Sequence, residues 1–255
     1  MDASIADYAM IGDCETAALV HRSGSIDWLC LPRFDSDACF ARLLGDRDNG
    51  HWSICARDVI ETRRAYRDGT LILVTDLVTT TGAARIIDFM SPRDQHADLI
   101  RIVEGIEGCV TFDVELVIRF DYGRTIPWVT HPDPATLMAV AGPNTLFLQT
   151  PIRLHGQDMR TLGDFAIQAG ECVPFVLTHR VSLSERPPKV EALTALASTD
   201  RYWRDFSDRC PNVGPWTQQV KRSLITLKAL TFGPTGGMVA AVTTSLPEKI
   251  GGTRN

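Results

Sequence analysis

The sequence predicts a mainly β protein, an antiparallel β-sandwich followed by a linker and two helices. Three observations lead to this prediction. From residue 11 to about residue 185, apolar and polar residues mostly alternate, as they do along strands with one buried face. Paired prolines, Pro187 and Pro188, then interrupt the pattern. Beyond them, apolar residues recur three or four positions apart, which is the spacing of an amphipathic helix.

The length and composition are those of an ordinary globular protein. The chain has 255 residues, of which 44% are hydrophobic and 22% charged, and its net charge is -5. It shows no basic footprint for nucleic acid and no polybasic or long apolar segment for a membrane. The start, MDASIADYAMIGD, contains acids and no lysine or arginine, unlike a secretory signal. We therefore expect a cytoplasmic protein that binds neither nucleic acid nor a membrane.

The seven cysteines are interpreted as small buried apolar residues. Their number is odd, their spacing is wide and no C-x-x-C pair occurs, so the sequence does not favour disulfides. A zinc site built from Cys14, Cys30, Cys39 and His51 is an alternative, but structural zinc sites usually show closely spaced ligand pairs. Neither a metal nor a cofactor is expected.

The clearest strand lies in the stretch GCVTFDVELVIRFDYG. Six apolar residues occupy one of its faces: Val110, Phe112, Val114, Leu116, Ile118 and Phe120. Two shorter strands surround a turn at Thr81-Gly82, and further segments of the same character precede and follow. Many short strands without intervening helices favour a sandwich, and an up-and-down barrel is the main alternative.

Three helices are expected, one of them inside the β region. The stretch DACFARLLGD, residues 37–46, predicts a short helix with Phe40, Leu43 and Leu44 on its inner face. Residues 198–209 predict a second helix, with Ser198 or Thr199 as its N-cap.

The third predicted helix is the most strongly amphipathic. It extends from Pro215 to Phe232 and ends before Gly233-Pro234, in agreement with the positional preferences of proline and glycine. Its apolar stripe consists of Trp216, Val220, Leu224, Leu227 and Leu230. A single helix cannot bury such a stripe alone, so it must lie on the sandwich or pack against helices that this chain does not contain.

These patterns predict three regions. Residues 1–186 form the β-sandwich, residues 187–214 form a linker with a short helix, and residues 215–255 begin a second, helical domain.

The stretch GSIDWLCLPRFDSDACF contains the most suggestive side chains. Arg33 and Asp35 flank Phe34 just beyond a predicted strand, where an aromatic face and charged groups could meet a sugar. The alternative is an Arg–Asp pair that holds a loop. Acids also pair at Asp13 and Glu15, and paired carboxylates can hydrolyse glycosides, although acids in turns usually bond their own backbone.

Three long stretches resemble one enzyme family. YAMIGDCETAALVHRSGSIDWLCLPRFDS resembles the opening of bacterial glycoside hydrolase family 15 proteins, the glucoamylase and trehalase-like enzymes. RIVEGIEGCVTFDVELVIRFDYGR resembles their middle β region, and VKRSLITLKALTFGPTGGMVAAVTTSLPEKIGGTRN resembles the stretch that enters their second domain. The resemblance covers nearly the whole chain.

This resemblance implies a supersandwich-like β domain followed by an (α/α)6 barrel, of which the helix at Pro215 would be the first. It also implies inverting hydrolysis of terminal α-glucosidic bonds by two glutamates in the barrel, beyond this sequence. The chain therefore carries no expected catalytic residue and should be inactive alone. By position only, Thr243, Thr244 and Arg254 would line the approach to the substrate. Arg33 and Asp35, already suggested by their place beside Phe34, are the other residues expected to line it. Trehalose or an α-glucan would then be a ligand of the complete enzyme.

Two other functions remain open. The chain could be a stand-alone carbohydrate-binding module with stacking platforms among its aromatic residues, namely Trp28, Trp52, Trp128, Phe34 and Tyr122. It could instead be an interaction protein whose stripe residues Trp216, Leu224 and Leu227 bind a partner. That partner would be a separate barrel polypeptide or a second copy of the chain.

Overall fold

Residues 4–181 and 187–246 are described by the structure, a computed structural model. Two antiparallel sheets face each other across one apolar core, so the predicted sandwich is confirmed. In these residues the strands are β1 (Tyr8–Gly12), β2 (Ala17–His21), β3 (Ser25–Cys30), β4 (Ala38–Ala41), β5 (His51–Ala56), β6 (Val59–Tyr66), β7 (Leu73–Thr79), β8 (Gly82–Met90), β9 (Ala97–Val117), β10 (Trp128–Asp133), β11 (Thr136–Ala141), β12 (Asn144–Gln149), β13 (His155–Gln157), β14 (Arg160–Gln168) and β15 (Cys172–Val181). Two α-helices follow, α1 (Ala192–Ser207) and α2 (Thr217–Ala229).

One long strand joins the two sheets. The second half of β9 pairs with β5 and β14 in the first sheet, whose order is β1-β2-β3-β5-β9-β14-β13, with β4 also on β3. Its first half pairs with β8 and β15 in the second sheet, whose order is β6-β7-β8-β9-β15-β12-β11-β10. Strand β9 is thus shared between the sheets.

The strand crosses between the sheets at glycines. At Gly105 the chain passes so close to the main chain of Gln168 that any added Cβ would collide with its carbonyl oxygen. Gly108 has a φ of +60°, a conformation that glycine adopts without strain. These two positions explain why glycines occur in the middle of β9.

The core lies between the sheets and uses the predicted alternation. Val110, Phe112 and Val114 of β9 are buried, and the ring of Phe112 stacks on Phe165 with centroids 5.3 Å apart. Trp52 packs edge-on against Phe175 of the second sheet. The first contact joins neighbouring strands of one sheet and the second joins the two facing sheets, and both add to the stabilisation from burial.

A buried arginine also links the sheets. Arg101 of β9 is fully buried and pairs with Asp88 of β8, its Nε lying 2.8 Å from Oδ1. It donates hydrogen bonds to the carbonyl oxygens of Trp52 and Gly24 in the first sheet, at 3.0 and 2.7 Å. Its positive charge is therefore satisfied by one carboxylate and two carbonyls, as burial of a charge requires.

The helix predicted at residues 37–46 is wrong. Residues Ala38–Ala41 form β4, which pairs with β3 and is completely buried, and only Arg42–Leu44 form a 3-10 turn. Leu43 and Leu44, expected to face inward, are 37% and 46% exposed. The run Ala-Cys-Phe-Ala is too short for a buried helix, and pairing with β3 satisfies its backbone instead.

Helix α1 exists as predicted but begins at Ala192, six residues before the expected start at Ser198. Ser198 and Thr199 do not cap the helix, because their hydroxyls donate to the carbonyl of Ala195 one turn earlier. Ala192 and Leu196 pack on the outer face of the second sheet. Trp203, which is 1% exposed, connects α1 to α2.

Helix α2 is shorter than predicted. A 3-10 turn at Gly214–Trp216 precedes it, and it ends at Ala229, before the expected end at Phe232. The two helices at the C-terminal end are nevertheless confirmed. Neither helix in the described ranges is long and apolar enough to cross a membrane.

The face that α2 buries is not the predicted stripe. Ile225 and Ala229 are its buried residues and pack against Trp203 of α1. On the same side, the guanidinium of Arg222 lies 4.2 Å from the ring centre of Tyr66. The most exposed stripe residues are Trp216 (66%), Leu227 (45%) and Leu224 (36%).

Candidate functional site

The segment after α2 is seated on the first sheet. Trp28 of β3 is fully buried and donates from Nε1 to the carbonyl oxygen of Val242 at 3.2 Å. On the same strand, the Sγ atom of Cys30 lies 3.3 Å from the Oγ atom of Ser245. Tyr122 donates to the carbonyl oxygen of Ser245 at 3.2 Å. These contacts attach residues 242–245 to a surface more than 120 residues away along the chain.

An apolar cluster lies beneath this contact. Phe34 and Val242 are buried in it, 2% and 9% exposed, together with Trp28 and Cys30. Phe232, at the start of the segment, packs on the same cluster. The loop that follows β3 and the segment that follows α2 therefore share one apolar surface.

Arg33 and Asp35 lie at the edge of that surface. The guanidinium binds the carboxylate through two hydrogen bonds, Nε to Oδ1 at 2.9 Å and Nη2 to Oδ2 at 2.6 Å. The same guanidinium lies 5.7 Å from the ring centre of Phe232. Hydrogen bonding to Asp35 raises the pKa of Arg33, and both side chains are about half exposed. The pair holds the loop against Phe232 while remaining open to solvent.

The other predicted site residues divide into two groups. Thr243 and Thr244 are half-buried in a tight turn, in which the amide of Thr244 donates to the carbonyl of Ala241 and that of Leu246 to Thr243. Arg254 lies outside the described residues. The structure therefore brings the loop of Arg33 and the turn of Thr243 to one apolar cluster, although no local sequence pattern links them.

A strained turn supports the same contact. Asp121 and Tyr122 both have positive φ angles, 51° and 58°, and Gly123 follows at 99°. Consecutive non-glycine residues in the left-handed region cost free energy and persist only where the surroundings enforce them. Here the ring of Tyr122 packs near Trp28, with centroids 6.3 Å apart. The Asp-Tyr-Gly triplet after a strong strand was the signal that could have identified this turn.

The acidic pair Asp13 and Glu15 forms a turn. One oxygen of Asp13 accepts from the amides of Glu15 and Thr16, and the other lies 2.8 Å from a guanidinium nitrogen of Arg93. Burial raises the pKa of Asp13, against the opposing effect of Arg93. These contacts account for the carboxylate structurally. In the described ranges, no group of three His, Cys, Asp or Glu side chains is placed to hold a metal ion.

The five aromatic residues considered as sugar platforms differ sharply in exposure. Trp28, Trp52 and Phe34 are buried and belong to the core, and Tyr122 is half-buried against the C-terminal segment. Trp128, at the start of β10, is 76% exposed and lines a groove of about 510 Å³. Burial thus leaves Trp128 as the open aromatic face among these five.

Curated relatives of the chain are trehalases. It is 33% identical to the trehalase of Mycolicibacterium smegmatis, over 98% of this chain and 42% of the relative. It is 28% identical to the trehalase of Thermoplasma volcanium, over 97% of this chain and 41% of the relative. The chain thus spans about two fifths of the length of these relatives, which are about 2.4 times longer.

A solved structure shares the fold. The crystal structure of a bacterial glucoamylase complexed with acarbose superposes with a TM-score of 0.62 at 14% identity. The match covers 95% of this chain and 43% of that chain. At this identity the match establishes the architecture alone.

The sequence profile of the trehalase-like N-terminal family matches residues 2–154, more than half of the chain. The two sheets, their shared strand and the relatives named above agree with that match. The chain therefore belongs to the trehalase-like N-terminal family, and it corresponds to the N-terminal part of its longer trehalase relatives.

Proposed function

We propose that this chain is the non-catalytic sandwich portion of an inverting α-glucoside hydrolase of trehalase or glucoamylase type. Its own task is to carry and orient a helical barrel, supplied by the same polypeptide or by a second one. The general acid and general base would belong to the barrel. In inverting glycosidases these two carboxyl groups are ~6.5–9.5 Å apart. Because both would belong to the barrel, the barrel would set this distance.

The exposed stripe of α2 is the observation that carries this proposal. One face of the helix is already buried through Ile225 and Ala229, whereas Leu224 and Leu227 remain open, as does Trp216 in the turn just before the helix. A helix that is apolar on two sides is typical of a position between two packed layers. The barrel would cover the open side, and α2 would be its first helix.

Contacts among the described residues support the proposed domain boundaries. Residues up to 186 would form the sandwich and residues 187–214 the connection, with the second domain beginning at residue 215. Helix α1 packs on the second sheet and α2 packs on α1, so the connection itself would fix where the barrel starts. Contacts of Trp28 and Tyr122 with residues 242–245 would fix a second point.

The residues proposed to line the substrate approach are Arg33, Asp35, Thr243, Thr244 and Arg254. The contact of Arg33 with Phe232 supports this role, since it places a solvent-open charged pair beside the segment that leads towards the barrel. We also propose a cytoplasmic location. The buried thiols Cys14 and Cys39 are free, which is typical of a reducing compartment.

An activity assay tests the division of labour. The purified 255-residue chain is incubated with trehalose and with maltooligosaccharides, and released glucose is measured. We expect no release above the uncatalysed background. Glucose release that remains proportional to this chain after repurification would contradict the non-catalytic role.

The gene provides an independent test. The nucleotide sequence beyond the Asn255 codon should encode a barrel, either in a continuous frame or in a separate neighbouring frame. The former corresponds to a barrel in the same polypeptide and the latter to a split enzyme. A genome without any barrel-coding sequence to complete this chain would refute the proposal.

Self-association through the exposed stripe of α2 is an alternative function, and it can be tested by measuring the oligomeric state. If this function holds, sedimentation equilibrium should show a self-associating wild-type chain. A variant with both Trp216 and Leu227 replaced by serine should give the mass of a monomer. Both side chains are largely exposed, so the fold should tolerate the changes. A wild-type chain that is monomeric at all concentrations would exclude this function.

A further inference from the structure

A groove on the sandwich lies apart from helix α2 and its stripe. One wall is the start of β10, the last strand of the second sheet, and the other is the hairpin formed by β13 and β14. The volume is about 510 Å³. Pockets for small organic ligands range over ~300–1,000 Å³, so this groove has room for two or three sugar rings rather than a single ion.

We propose that this groove is a saccharide-binding site, in which Trp128 is the stacking platform and the ligand is a neutral pyranose oligosaccharide. The inference depends on the lining of the groove alone and would stand without the barrel.

Trp128 supplies the apolar contact. Its side chain is 76% exposed, whereas Trp28, Trp52 and Trp203 are at most 1% exposed. A large aromatic side chain at an open sheet edge exposes apolar surface to water, which is unfavourable. Such residues are enriched where a ligand or partner binds. The flat indole ring suits the C–H face of a pyranose, and the neighbouring Ile126 and Val129 extend the apolar floor.

The opposite wall is held in a strained form. Gln157 pairs with Arg160, so Asp158 and Met159 form a two-residue turn with φ angles of +49° and +58°. Such turns normally use asparagine or glycine, and methionine in this conformation is unfavourable. Met159 is also 74% exposed beside the groove. The turn thus presents a flexible apolar side chain beside the groove despite the conformational cost of its positive φ angle.

Polar groups at the base provide directional contacts. Arg119 is 6% exposed and lines the groove, where it donates to the carbonyl oxygens of Ile118 and Met159 at 2.8 and 3.1 Å. A guanidinium has further N–H donors beyond these two bonds, and hydroxyl oxygens can accept them. Burial lowers the pKa of Arg119, because removal from water disfavours its charged form.

The charge of the lining favours a neutral ligand. Arg160 is compensated by Asp48 and Glu115, with nitrogen–oxygen distances of 2.6 and 3.2 Å. Asp158 is exposed and also lines the groove, where its carboxylate would repel an anion and accept hydrogen bonds from hydroxyl groups. The groove combines apolar surface with guanidinium hydrogen-bond donors and a carboxylate acceptor. This combination suits a polyol better than a phosphate or a peptide terminus.

Titration calorimetry and saturation-transfer NMR on the 255-residue chain test the proposal, with maltotriose and trehalose as probes. We expect binding of at least one probe with a Kd of about 1 mM. Trp128→Ala should weaken it at least about tenfold, because truncation of a central aromatic usually removes most of the affinity. Trp216→Ala is the matched control, since it removes another exposed indole from a different element, and its Kd should equal that of the wild type.

A second variant separates binding from folding. Met159→Gly removes the apolar side chain from the hairpin wall, but glycine suits the positive φ angle at this position. Its melting temperature should therefore not fall, whereas its affinity for the sugar should decrease. No binding of either probe at about 10 mM would overturn the proposal. Equal affinity in Trp128→Ala and wild type, or an equal loss in Trp216→Ala, would overturn it as well. So would binding only of a phosphorylated sugar, which would identify an anion site.

Discussion

Arg101→Met should be among the most destabilising single substitutions in the sandwich. The change keeps the apolar stem of the side chain but removes the charge that neutralises Asp88, which is 1% exposed. It also removes the donors to the carbonyl oxygens of Trp52 and Gly24 and the contact of the guanidinium with the Trp52 ring at 5.2 Å.

The magnitude follows from these losses. Removal of one partner from a buried ion pair costs about 3–5 kcal/mol, because the remaining charge is left unpaired. Each unsatisfied buried carbonyl adds up to about 1–3 kcal/mol where water cannot replace the donor. We therefore expect the free energy of unfolding to fall by at least about 3–5 kcal/mol, the cost of the broken ion pair, with the two carbonyls adding to it.

Guanidinium-chloride unfolding followed by circular dichroism measures the effect. The matched control is Arg57→Met, which breaks an exposed pair between Arg57 and Asp113 of similar geometry, 2.5 Å from nitrogen to oxygen. Exposed pairs contribute about 0–1 kcal/mol, so this variant should remain close to the wild type. A cost for Arg101→Met within about 1 kcal/mol of the control would refute the reasoning. The double variant Arg101→Met/Asp88→Leu should be more stable than Arg101→Met, because it removes the stranded carboxylate.

Three further predictions concern other parts of the fold. Burial lowers the pKa of His179 from 6.5 to about 4, so the unfolded chain takes up a proton that the folded chain does not. The free energy of unfolding should therefore fall as the pH drops from 6.5 to about 4, by up to about 1.4 kcal/mol per pH unit. In denaturant unfolding measured at several pH values, His179→Gln should show a smaller dependence on pH. Tyr122→Phe removes the hydrogen bond to Ser245 and should lower the free energy of unfolding by about 1 kcal/mol, with faster amide exchange around residue 245 if that contact holds the segment. Gly105→Ala forces a Cβ against the carbonyl of Gln168 and should lower the melting temperature markedly, whereas an unchanged value would show that the bend of β9 can relax.

The strands were predictable because their signal is local. Alternation along Val110 to Phe120 marks which side chains face the core, and that periodicity does not depend on which strand lies alongside. The sandwich could be predicted from this alternation, and the two C-terminal helices from apolar residues that recur three or four positions apart. The resemblance to trehalase-like enzymes likewise rested on contiguous stretches, and family membership is confirmed.

The errors arose where a distant segment decides the outcome. Residues 38–41 have a composition that suits a helix, but β3 offers unpaired backbone groups, and pairing with them buries all four side chains. Helix α2 carries apolar residues on two sides, and Trp203 of α1 selects the side with Ile225 and Ala229. Sequence periodicity can identify an apolar face, but it cannot rank two faces without knowing what packs against them.

The sequence by itself determined the β character of the chain, its two C-terminal helices and its family, because these depend on local periodicity and on contiguous motifs. Only the tertiary structure decided which aromatics are core and which are open, and which residues meet. Trp28 and Trp128 are the same residue type and both lie on strands, yet Trp28 is buried beneath Val242 whereas Trp128 is exposed on an edge strand. The physical reason is that exposure depends on the neighbours of a side chain in space, and here those neighbours come from segments far apart in the chain.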